Sequence, residues 1–265
     1  MPASRGAMVG KAAGIIGLTG LLAPVQLLAL GLVRKRTDVV PRLYHRLVNR
    51  VLGLRIVENG PKPPAGKGVL VVANHVSWLD IPVIGSLMPL TFVAKSEVAS
   101  WPLFGQLARF QRTLFIDRSR RAATADISAD MGARLASGEA IVLFAEGTTG
   151  DGTRILPLRS SLLGAVREAI DSSGGTDEIT VQPLTITYLG RNGLPGGRAD
   201  RLRLAWYGDT ELMPHLKDML SGGPIDVALT WGQPIRMGRD SSRKEATRLA
   251  EIAIQQARRQ HILGA

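Results

Sequence analysis

The chain has 265 residues, 45% of them hydrophobic, with 33 Lys and Arg against 22 Asp and Glu and a formal charge of +11. That size suits one globular domain with an extension, or at most two small domains, and the charge points to an anionic partner: nucleic acid, a membrane surface or an acidic substrate. There is no Cys, and four His lie scattered at 45, 75, 215 and 261, which excludes a disulfide framework and a cysteine nucleophile and leaves little material for a zinc site, so no metal is expected.

The first expected element is apolar. Residues Ala12 to Val33 carry no charge, a stretch long enough to span a bilayer. Its glycines and Pro24 predict an imperfect helix, one that either spans or breaks at Pro24 and dips into one leaflet. Arg34-Lys35-Arg36 follow directly and Arg5 and Lys11 precede, so the positive-inside bias puts the bulk of the chain on the cytoplasmic side of an inner membrane. A cleaved signal peptide fits less well, because a basic cluster stands where cleavage would come and no small-x-small site is present. Pro41 to Leu52 reads as a basic amphipathic helix, with Leu43, Tyr44, Leu47, Val48 and Val51 on one face and Arg42, Arg46 and Arg50 on another. Such a helix suits either an anionic headgroup plane or the flank of the main domain; its place directly after the apolar run favours the membrane. Gly60 to Gly68, rich in Pro and Gly, is the clearest linker. It divides a membrane-associating helical segment (1–59) from the main domain (60–265). It is one residue too long for a phosphate-binding loop, has no Ser or Thr after Lys67, and precedes a strand instead of following one.

From Gly68 onward strands and helices alternate, which predicts α/β architecture: a mostly parallel central sheet flanked by helices. Strands are expected at 68–73, 90–94, 113–116, 140–144, 179–188, 201–206 and 225–231, and helices at 79–88, 121–137, 158–171, 209–220 and 242–259. Helix 121–137 places Ala123, Ile127, Met131 and Leu135 at four-residue steps and stops at Gly138. The last helix opens on the capping box Ser242-x-x-Glu245.

Several of these strands end abruptly in polar residues. The run to Ala73 meets Asn74-His75, with Asp80 five residues after the His; Leu114-Phe115-Ile116 meets Asp117-Arg118; Ile141 to Phe144 meets Ala145-Glu146-Gly147-Thr148-Thr149; Ile179-Thr180-Val181 meets Gln182-Pro183. In parallel neighbours these ends converge at one sheet edge, where sites of open α/β folds gather. An Asp at a helix start can hold an imidazole. Arg118 offers a fork for phosphate, and a carboxylate beside a Gly-rich bend can hold hydroxyls or support a binding loop. Each residue taken singly has an ordinary reading, as a loop His, a capping Asp, a surface Arg or a turn Glu.

As an ordered set, Asn74-His75-x-Ser77-x-x-Asp80, Phe115-Ile116-Asp117-Arg118, Phe144-Ala145-Glu146-Gly147-Thr148 and Val181-Gln182-Pro183 resemble the four blocks of the glycerolipid acyltransferase family. That family includes bacterial 1-acylglycerol-3-phosphate acyltransferases, and the segment Phe92 to Gly105 is similar to its stretch between the first two blocks. The resemblance covers about residues 68–190 and implies a membrane-associated O-acyltransferase that moves a fatty acyl group from acyl-CoA or acyl carrier protein to a lyso-lipid hydroxyl, with no cofactor beyond the thioester co-substrate. It implies His75 as general base and Asp80 as the carboxylate fixing its tautomer. It further implies Asn74, Lys95, Arg118, Glu146, Gly147, Thr148, Thr149 and Arg154 as the substrate-binding set. The family's third block commonly ends in Arg, where this chain has Thr149; members with Glu-Gly-Thr-Thr include lyso-ornithine lipid acyltransferases. Lysophosphatidic acid and lyso-ornithine lipid therefore both stand as acceptors, with Arg154 or Arg159 able to supply the missing charge.

Two other classes would use some of these features. A nucleic-acid-binding protein would use the charge, but Lys and Arg are dispersed and aromatics are only 5%, so no nucleic-acid partner is expected. A lipid-binding or lipid-hydrolysing protein on the same fold would keep the site; transfer to a lyso-lipid, as against release of free fatty acid, separates them.

Overall fold

The computed structural model of the chain describes residues 5–32, 38–117, 121–164, 166, 170–171 and 178–263. In chain order, helices α1 (Arg5–Leu32) and α2 (Val39–Leu52) lead into strand β1 (Leu54–Asn59) and strand β2 (Val69–Ala73). Then come α3 (Asp80–Gly85), β3 (Thr91–Lys95), α4 (Phe104–Phe110), β4 (Leu114–Ile116), α5 (Arg121–Ala136) and β5 (Ala140–Phe144). The second half holds β6 (Glu178–Arg191), β7 (Leu194–Pro195), α6 (Arg198–Leu204), α7 (Leu212–Ser221), β8 (Ile225–Trp231), β9 (Ile235–Gly238) and α8 (Arg243–Leu263).

The strands form one sheet in the order β1-β8-β6-β2-β5-β3-β4, with β7 and β9 also pairing to β6. Pairing is parallel at β1–β8, β6–β2, β2–β5, β5–β3 and β3–β4 and antiparallel only around β6. Every residue of β2 and β5 is buried, as expected for parallel strands covered on both faces. Alternation sends Val69, Val71, Ala73, Val142 and Phe144 into a core shared with Val48 and Leu52 of α2, Val83 of α3 and Met219 of α7. Leu70, Val72, Ile141 and Leu143 face a second core with Met131 and Leu135 of α5 and Ala250 and Ile254 of α8. The sheet is thus the middle of three layers, and the carboxyl ends of β2, β3, β4 and β5 open on one edge.

Several expectations are revised. The strand expected at 201–206 is largely helix α6. Its alternating leucines mimic a strand, but Asp200 Oδ2 accepts the Gly197 N–H at 2.8 Å and starts a helical turn instead. The strand β1 lies before Gly60 yet pairs with β8 along its whole length, so the Pro/Gly-rich linker joins two strands of one sheet. Helix 158–171 lies partly outside the described residues, and its described start is a 3-10 turn, Ser160–Leu163. The apolar helix runs through Pro24 without a break. On α2 the inward face is Pro41, His45, Val48, Asn49 and Leu52, while Arg42 and Arg46 donate to the carbonyls of Ser86 and Leu87 just past α3. Two of its three arginines therefore serve the main domain rather than a headgroup plane.

Candidate active site

The site begins where β2 stops. Asn74 is buried, and its amide donates to the Ile186 carbonyl at 3.0 Å and accepts the Ile186 N–H at 2.9 Å. With both groups engaged on β6, Asn74 locks the strand end and so aims the residues that follow. His75 comes next. Its ring stacks on Phe144 with centroids 3.9 Å apart and planes 13° from parallel, and Phe92 stacks on Phe144 in turn.

His75 Nδ1 lies 2.7 Å from Asp80 Oδ2. The same oxygen accepts the backbone N–H groups of Val76 at 2.7 Å and Ser77 at 3.0 Å, and Oδ1 accepts the Tyr188 hydroxyl at 2.6 Å. Four donors converge on a side chain with no solvent exposure, while the His75 side chain keeps 19% of its surface. A carboxylate accepts only, so Nδ1 carries the proton and the Nε2 lone pair is left available. Burial, the Asp80 charge and the bond to Asp80 together raise the Tyr188 phenol well above its ordinary value, which keeps it a donor. The four-residue spacing from Val76 to Asp80 is what lets the first turn of α3 fold back on its own N-terminal loop.

The loop after β5 closes on the same residue from behind. Glu146 is buried, and its Oε1 accepts the His75 N–H at 3.3 Å. The Gly150 N–H donates to the His75 carbonyl at 2.8 Å. Burial pushes the Glu146 carboxyl up to about 8, against the pull of the His75 and Leu156 backbone N–H groups. Gly147 turns the chain with φ +77°, a conformation that side chains with a Cβ resist. Asp151 accepts from the backbone N–H and hydroxyl of Thr153, both at 2.8 Å, and shapes the next turn.

The predicted residues therefore fall into two groups. His75, Asp80, Asn74 and Glu146 meet directly or through one another's backbone. Thr148 and Arg154 are exposed and Thr149 is half-buried on the loop after β5, and Lys95 is exposed at the end of β3, next to β4 through the Lys95–Ile116 pair. Among the described residues no hydrogen bond or ion pair joins them to His75 or Asp80. Arg118 lies outside the described residues. Sequence reasoning missed Tyr188, because its contact with Asp80 joins β6 to the start of α3 across 108 residues of chain. It also missed the stacking role of Phe144, although the alternation of β5 does place that ring on the His75 face.

The family model described as Acyltransferase matches residues 54–187. The chain is 41% identical over 252 residues to the lyso-ornithine lipid O-acyltransferase of Brucella abortus (strain 2308), covering 95% of this chain and 94% of the relative. It is 44% identical over 229 residues to the lyso-ornithine lipid O-acyltransferase of Rhizobium meliloti (strain 1021), covering 86% and 78%. In three dimensions it superposes on the crystal structure of the 1-acyl-sn-glycerophosphate (LPA) acyltransferase PlsC from Thermotoga maritima with a TM-score of 0.67, at 20% identity, over 98% of this chain and 95% of that one. That likeness carries the fold.

Proposed function

The chain belongs to the acyltransferase family, and from that premise we propose that it transfers a fatty acyl group from a thioester to the hydroxyl of lyso-ornithine lipid, with His75 as general base. The observation that carries the mechanism is the His75–Asp80 geometry. With Nδ1–H held by a fully buried carboxylate, Nε2 is placed to take the acceptor proton as its oxygen attacks the thioester carbonyl. The C–O bond forms, the C–S bond breaks, and the proton taken by Nε2 passes to the departing thiolate. Asp80 stabilises the imidazolium formed on the way without itself taking the proton. No acyl-enzyme is needed, and either acyl-CoA or acyl carrier protein satisfies the chemistry as donor.

For the acceptor, similarity to lyso-ornithine lipid O-acyltransferases along most of both chains and the Thr at position 149 support lyso-ornithine lipid over lysophosphatidic acid. The test is an assay of both acceptors side by side with both thioester donors. A preference of about tenfold or more in kcat/KM for lyso-ornithine lipid is expected; equal or greater use of lysophosphatidic acid would reverse the acceptor assignment, and release of free fatty acid alone would replace transfer by hydrolysis.

The proposal extends to location, at the cytoplasmic face of the inner membrane. Helix α1 is long and apolar enough to cross a membrane by length and composition, and most of it is exposed. Yet it is tied down along its length. Lys11 donates to the carbonyls of Leu52 and Gly222, Thr19 pairs with the Tyr44 hydroxyl, and Gln26 donates to the Phe110 carbonyl. From Lys11 to Gln26 is about 22 Å of helix, all held on the globular domain. A helix docked in this way suits lying in the bilayer interface, with Leu21, Val25, Leu28 and Leu32 exposed on one face, better than crossing a hydrocarbon core of about 30 Å.

A further inference from the structure

Arg258 sits on α8, on the sheet face away from the His75 ring, and belongs to none of the expected blocks. Its Nη2 donates to the Gly152 carbonyl at 2.8 Å, across 106 residues of sequence. No carboxylate lies within ion-pair distance of it among the described residues. The acids that attract it, Asp151 and Glu146, both belong to the loop after β5, and Arg201 of α6 repels it. With Arg201, Val76, Gly152 and Tyr188 it lines a small cavity, and two of those neighbours, Val76 and Tyr188, donate to Asp80.

We propose that Arg258 is a positioning residue, holding the 147–154 loop against the back of His75 so that the loop's front rim is set for the acceptor. One side of that loop is pinned to His75, through Glu146 Oε1 and the Gly150 N–H. The other side is pinned at Gly152, and the only side chain that reaches that carbonyl among the described residues is Arg258. Half-burying a guanidinium is costly unless it is hydrogen-bonded, and the Gly152 carbonyl supplies the half-buried Arg258 with that bond. The planar fork can span loop and cavity together, which a lysine's point charge cannot fully reproduce. The acceptor part of this inference rests on the proposed function, in which Thr148, Thr149 and Arg154 meet the lyso-lipid.

The test combines hydrogen–deuterium exchange over residues 147–154 with steady-state kinetics, on the full chain carrying Arg258→Met, Arg258→Lys or, as a control, Arg259→Met. Arg259 is the exposed neighbour on the same helix. In Arg258→Met, exchange in the loop should rise about tenfold over the rest of the domain. The acceptor KM should rise by a similar factor while kcat and the donor KM change less than about threefold. Arg258→Lys should recover part of both effects, and Arg259→Met should show neither. Loop exchange equal to wild type in Arg258→Met, or a rise spread evenly over the whole domain, would overturn the tether. Faster loop exchange with an unchanged acceptor KM would overturn the loop's acceptor role and leave the tether standing, so the two failures are distinguishable.

Discussion

At Asp80 every polar direction is taken. Oδ2 receives three N–H donors and Oδ1 one O–H. Asp80→Asn turns one of those positions into a donor facing donors, so the imidazole loses its tautomer along with its anchor. A fall in kcat of roughly 10³–10⁴ is expected, measured as initial rate of acyl transfer, with the fold retained by circular dichroism. Glu146 makes a separate prediction through pH. Its carboxyl is raised from near 4.5 to about 8, first by burial, so between those values the folded chain holds a proton that the unfolded chain has released. Stability from this group is fully present below about 4.5 and is lost as pH rises through about 8. Glu146→Gln keeps an acceptor for the His75 N–H but cannot ionise. Its melting temperature should decline less than that of wild type across that window; parallel curves would show that Glu146 does not titrate there. At this scale the sequence was informative where chemistry clustered locally, as from Asn74 to Asp80, and silent where it did not. Nothing in the spacing joins Tyr188 to Asp80 or Arg258 to Gly152, because both contacts depend on how β6 and α8 dock.

Among the elements, the glycine stops read from the sequence have physical substance. Gly138 ends α5 at φ +90°, and a Cβ there would stand 2.6 Å from the Gly66 carbonyl oxygen. Gly138→Ala should therefore cost at least ~1 kcal/mol from the left-handed conformation alone, read as a lower denaturation midpoint with unchanged acceptor KM. Buried parallel strands were legible because uninterrupted apolar runs such as Val69–Ala73 and Ala140–Phe144 have few other uses. Segment 201–206 was misleading for the opposite reason. Its alternation is shared by a short helix in which Arg201 bonds back to the Gly196 carbonyl and the exposed Arg203 reaches Asp218. Strand β1 was hidden by its neighbours, since Leu54–Asn59 follows a helix with only Gly53 between.

For the molecule as a whole, the positive charge and the apolar N-terminus converge on a lipid surface. Because α1 is bonded to the domain and Met8, Ala12 and Ile15 pack on its core, removing the helix would disturb the fold as well as the membrane contact. Substitution on its outer face is the cleaner probe. Leu21→Glu with Leu28→Glu, at residues 68% and 63% exposed, should abolish co-sedimentation with anionic phospholipid vesicles while leaving the melting temperature within a few degrees of wild type. Undiminished vesicle binding would remove α1 as the membrane contact.

The base assignment is tested most directly by single-turnover acyl transfer to lyso-ornithine lipid with purified wild type and His75→Ala, both confirmed to be folded. With Nε2 gone and the rest of the site intact, transfer should fall to the limit of detection while bound acceptor is retained. Transfer by His75→Ala at a rate near that of wild type would contradict it.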